Sequence, residues 1–126
     1  MNKSNTTQIG QLLSDIRDLY GTLQDMTRRF LDEFSIPALQ DLLKERAVVL
    51  LKIDSEEERL LRISDVRCLN HYGEYGEITD HIAAILSCDR EITERVKHGM
   101  KAVNRDLSSL SATSNAAIMY TLHTRG

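Results

Sequence analysis

Cys68, His71, His81 and Cys88 are the residues of this 126-residue chain best suited to ligating a metal. Thiolate and imidazole are the ligand types zinc prefers. Cys68 and His71 share one helix face, and His81 and Cys88 lie two turns apart on another. That spacing matches no compact zinc module, so two solvated imidazoles and two small apolar thiols are the simpler account. No metal and no cofactor are expected. The cysteines stand far apart and form no CxxC, which reads as reduced thiols and not a disulfide framework. Glu56, Glu57 and Glu58 are adjacent carboxylates, a pattern that suits the positive first turn of a helix better than general acid–base work. Ser108, Ser109 and Ser111 have no histidine or acid at motif spacing, so nucleophilic catalysis has no support. No glycine-rich phosphate loop follows a strand, because no strand pattern exists. The chain reads as a non-enzyme.

His98-Gly99-Met100-Lys101-Ala102 is the one segment with a covalent alternative. It resembles the phosphoacceptor stretch of histidine phosphotransfer domains, where an exposed imidazole takes a phosphate and a lysine one turn on offsets its charge. A histidine phosphotransfer module using His98 is therefore the alternative function. A solvated helix face is the simpler reading.

The elements that must carry these residues are helices. Ile9, Leu12, Ile16, Leu19, Leu23, Met26 and Phe30 recur at gaps of three and four, with Leu13, Tyr20 and Phe34 widening the stripe. Hydrophobic residues are 41% of the chain and charged residues 28%, with one Pro and no Trp, a composition suited to long helices. Helix 1 is expected from about residue 7 to 34, after a frayed start. It stops at Ser35-Ile36-Pro37, where the proline both ends one helix and opens the next. Helix 2 is expected over about 37–70, with Leu39, Leu42, Leu43, Val49, Leu50 and Ile53 as its stripe and Arg46 interrupting it. A break is expected near 54–55, where Ser55 and Glu58 look like a capping box. His71 to Gly76 reads as a loop. Helix 3 is expected over about 77–111, its seam weakened by Asp89, Gly99 and Asp106. The serine- and threonine-rich stretch from Ser108 should let it fade into a tail, 112–126.

These spans give an all-α fold: an elongated antiparallel three-helix bundle, with the tail able to add a short C-terminal fourth helix. One domain is expected over 1–126. The net charge of −3 gives no reason to expect nucleic acid. No apolar run approaches the roughly 20 residues that cross a bilayer, so no membrane insertion is expected. The start of the chain lacks a signal-peptide core, which suggests a cytoplasmic protein. A stripe too wide for two neighbours can accept one more amphipathic helix. Val96, Met100, Val103 and Leu107 on helix 3, with Ile118, Met119, Tyr120 and Leu122 in the tail, are the candidate partner-binding residues. A homodimer is a further way to use the same stripe.

The long first helix, the run Leu39-x-x-Leu42-Leu43-x-x-Arg46 with Leu50 and Ile53, and a tail bearing Tyr120 resemble the small flagellar type III export chaperones of the FlgN/FliT kind. The resemblance covers most of the chain. It implies a cytoplasmic, non-enzymatic protein that binds helical segments of hook-associated or cap proteins before secretion. It also implies that Tyr120 meets an export-gate component.

Overall fold

The computed structural model describes the backbone of residues 3–125 and the side chains of residues 5–105 apart from 66 and 104. The fold is all-α. Its helices are α1 (Lys3–Asp32), α2 (Ile36–Ile63) and α3 (Gly73–Arg125), with a 3₁₀ segment, Val66–His71, between the last two. The chain divides into two compact units, Met1–Glu91 and Ile92–Gly126.

In the first unit α1 lies between its partners and buries a broad arc. Leu23 of α1 meets Val49 and Ile53 of α2 and Ile85 of α3. Further along, Ile9, Leu12, Leu13 and Ile16 meet Leu60 of α2, Leu69 of the 3₁₀ segment and Ile78 of α3. Low numbers of α1 therefore face high numbers of α2, which makes the two antiparallel. The opening stretch of α3 runs in the direction of α1. Each buried Leu or Ile contributes on the order of 1.5–3 kcal/mol.

The α1 stripe is broader than the expected line: Ile9, Leu12, Ile16, Leu23 and Phe30 are buried, and Leu13, Thr27 and Leu31 are buried beside them. Leu19 and Met26 are half-buried, whereas Thr27 is 0% exposed. A threonine can sit there because its hydroxyl donates to the Leu23 carbonyl at 2.7 Å, so no buried polar group is left unsatisfied. The start of α1 at Lys3 corrects the frayed terminus expected before residue 7.

Ser35 caps α2 by accepting from the Ala38 amide at 3.2 Å, and Pro37 sits in its first turn. The break expected near 54–55 is absent: α2 runs unbroken to Ile63. Its acidic run is neutralised in place. Glu56 meets Arg59, Glu58 meets Arg62, and Glu57 accepts from the Tyr20 hydroxyl. Ile53 and Leu60, two turns apart, both reach the core only if the helix is continuous. The chain turns later. Ser64 and Asp65 are extended, and the Asp65 carboxylate accepts from the Arg67 amide.

The expected loop at 71–76 is likewise replaced by helix. Only Tyr72 separates the 3₁₀ segment from α3. Tyr72 and Tyr75 pack on the core and tie down the first turn, in which neither Gly73 nor Gly76 adopts positive φ. At the other end α3 continues to Arg125, without the separate tail or fourth helix that the serines and threonines suggested. Those residues weaken a helix by only about 0.5 kcal/mol each, and no Gly or Pro lies between Met100 and Arg125 to stop it. Among the described residues no helix is long and apolar enough to cross a membrane.

Two glycines sit inside α1. A methyl on Gly10 would meet open space, and one on Gly21 would lie 3.6 Å from the His81 ring, an ordinary contact. Gly10→Ala and Gly21→Ala should each raise the unfolding free energy by about 0.5–1 kcal/mol through helix propensity. Urea denaturation checks this; a loss at either site would contradict the packing described.

Candidate functional site

Of the residues whose types could do chemistry, His81 and Glu57 join two helices, while Glu56 and Glu58 pair with arginines of their own helix. His81 sits on α3 over Gly21, and its Nδ1–H donates to Gln24 Oε1 on α1. His71 is exposed, and Cys68 and Cys88 are half-buried free thiols. Among the described residues no group of three or more His, Cys, Asp or Glu is arranged to hold a metal ion. The three glutamates each have a separate task, as given above, and converge on nothing. The side chains of Ser108, Ser109 and Ser111 lie outside the described residues.

Two residues that interrupt the apolar pattern answer one another. Arg46 of α2 and Asp89 of α3 form a two-pronged pair, Nη1 to Oδ1 at 2.8 Å and Nη2 to Oδ2 at 3.0 Å. The pair is mostly shielded from water on the arginine side. A planar fork matched to a carboxylate fixes register as well as adding attraction.

Tyr20 reaches Glu57 with its hydroxyl at 2.9 Å. Burial, first, and then this hydrogen bond and the nearby charges of Glu57 and Asp54 push its pKa from 10.0 up to about 12. The folded value lies above the unfolded one. The stabilisation from neutral Tyr20 is therefore complete below pH 10 and is lost as pH rises through about 12.

Two helix faces expose apolar side chains. On α3, Val96, Met100 and Val103 share a face at i, i+4 and i+7. Val96 is half-buried, while Met100 is 52% and Val103 47% exposed. The other expected partner-binding residues, Leu107, Ile118, Met119, Tyr120 and Leu122, belong to α3 but their side chains lie outside the described residues. His98 is exposed on the same helix, as is Lys101.

A second apolar face lies on α2, and sequence reasoning missed it by assigning Leu43 and Leu50 to the core. Leu43, Leu50, Leu51 and Leu61 all point outward, Leu51 at 70% exposure. The signal was present as apolar doublets. In Leu42-Leu43, Val49-Leu50 and Leu60-Leu61 the first member is buried and the second is not. Helix α2 is buried only along the narrow line of Leu42, Val49, Ile53 and Leu60, so a neighbour about 100° round from that line faces outward.

Clefts in the first unit are open and do not bring a nucleophile to a base. One of about 410 Å³ near the α1–α2 turn has Met26, Phe30 and Leu42 in its wall and Asp25, Glu33 and Asp41 among its charges. Another of about 160 Å³ is lined mainly by Leu and Ile with Tyr75.

Comparison with known protein families, with curated proteins and with solved structures finds no match to this chain.

Two outcomes follow from the ion pair and the tyrosine. Arg46→Ala should cost roughly 2–3 kcal/mol by leaving Asp89 without its fork, and Arg46→Met with Asp89→Leu should recover most of that, both read by urea denaturation. The stability difference between wild type and Tyr20→Phe should shrink as pH is raised from 10 towards 12; a difference that stays flat would remove Tyr20 as the titrating group.

Proposed function

We propose that this protein is a helix-binding chaperone for secretion, holding an amphipathic segment of a flagellar hook-associated or cap protein in the cytoplasm before export. The observation that carries the proposal is the face of α3 on which Met100 and Val103 are exposed beside the half-buried Val96. Three apolar side chains at helical spacing, outside the core of the first unit, suit a partner helix laid along them. Methionine adapts its shape, which suits clients of variable sequence. The likeness of Leu39, Leu42, Leu43, Arg46, Leu50 and Ile53 to the FlgN/FliT pattern supports the flagellar context. In this structure the motif's arginine has a concrete task, the pair with Asp89. Leu107, Ile118, Met119 and Leu122 extend the client face in this proposal, and Tyr120 meets the export gate.

Isothermal titration with C-terminal peptides of hook-associated and cap proteins tests the reading. Binding of one peptide near micromolar Kd is expected, with Met100→Glu/Val103→Glu weakening it at least tenfold, about 1.4 kcal/mol. Absence of heat with every peptide well above that concentration would end it. The phosphotransfer alternative draws on the exposure of His98 and Lys101. It predicts acid-labile label from a phosphorylated response regulator that His98→Gln abolishes.

A further inference from the structure

The outward face of α2 has the pattern of a coiled-coil seam. Ile36, Leu43, Ala47, Leu50, Asp54 and Leu61 are all exposed and lie on one line at gaps of three, four and seven; the polar Gln40 and Glu57 fill the two gaps of seven, and Glu57 is drawn aside to Tyr20. Beside that line runs a second exposed row at intervals of seven: Lys44, Leu51, Glu58. The equivalent row on the other flank, Arg46, Ile53 and Leu60, is turned toward α1 and α3 in the first unit. Only one flank of the seam is therefore available to a partner.

We infer that this face pairs with the same face of a second copy of the chain, the two α2 helices running antiparallel about Leu51. In antiparallel coiled coils the flanking row of one helix meets the same row of the other. Centred on Leu51, that rule sets Lys44 against Glu58 of the second copy, Leu51 against Leu51, and Glu58 against Lys44. The charges along the row match only in this direction. Parallel pairing would align Asp54 with Asp54, apposing like charges, and would give Lys44 no acid. In the single chain Glu58 holds Arg62 at 3.0 Å, and both side chains are about 70% exposed. Glu58 therefore has lone pairs free to accept a lysine as well. A two-fold arrangement is the usual form of a self-complementary surface. This face is distinct from the α3 face assigned to clients.

Sedimentation equilibrium on the full chain, up to about 200 μM, tests the inference. A monomer–dimer equilibrium is expected. Leu51→Glu should give a monomer with unchanged helicity, since Leu51 lies outside the core. Lys44→Glu and Glu58→Lys should each weaken the dimer about fivefold at low salt, and together restore it. In a Cys68→Ser/Cys88→Ser background, Leu51→Cys should cross-link to itself under mild oxidation, which reads the register directly. A wild-type chain that stays monomeric, a dimer indifferent to Leu51→Glu, a double charge reversal no better than its parents, or no cross-link would each overturn it. Peptide titration of the Leu51→Glu monomer keeps the two proposals separate, because client binding should survive there.

Discussion

The breadth of the buried arc on α1 governs the rest of the first unit. Seven of its apolar residues and Thr27 are removed from water, more than a single neighbour could cover. Two helices must therefore flank it, and each does so along a narrow line. For α2 that line is Leu42, Val49, Ile53 and Leu60. Because α2 spends so little of its circumference on α1, its remaining leucines have to face outward. The open surface of α2 is a direct result of how α1 is packed.

Apolar lines alone would let the flanking helices slide by a turn at small cost, since one Leu or Ile fits a gap about as well as another. Polar contacts remove that freedom. The Arg46–Asp89 fork joins α2 to α3, Arg17 with Glu77 and His81 with Gln24 join α1 to α3, and Tyr20 with Glu57 joins α1 to α2. Each links two different helices, and every pairing among the three is represented. Residues that look like faults in an apolar pattern thus specify which register the pattern adopts.

Much of this was legible before the fold was seen. The heptads of α1, the Ser35–Pro37 turn and the all-α class follow from spacing and from the chemistry of proline. What misled was local signal taken without its tertiary setting. Ser55 with Glu58 has the form of a cap, yet Ile53 and Leu60 hold the helix straight through it. Gly73 and Gly76 suggest a loop, yet Tyr72 and Tyr75 anchor a first turn there. Ser108 to Asn115 disfavour helix only weakly, and nothing stronger opposes continuation. Arg46 and Asp89 were each visible as interruptions, but a single sequence does not show that two interruptions 43 residues apart meet. Of the expected partner face, Val96, Met100 and Val103 do share one side of α3. The outward leucines of α2 were hidden in doublets whose second members were counted as core.

The connection between α1 and α2 is only residues 33–35, and the two helices pack against each other along their length. Closing so short a link costs little chain entropy, and the contacts it brings together are near in sequence. The pairing of α1 with α2 is thus the most local in sequence of the contacts between helices in the first unit. The contacts of α3 span far more chain, as in the 43 residues between Arg46 and Asp89, so closing them costs more entropy than closing the α1–α2 turn.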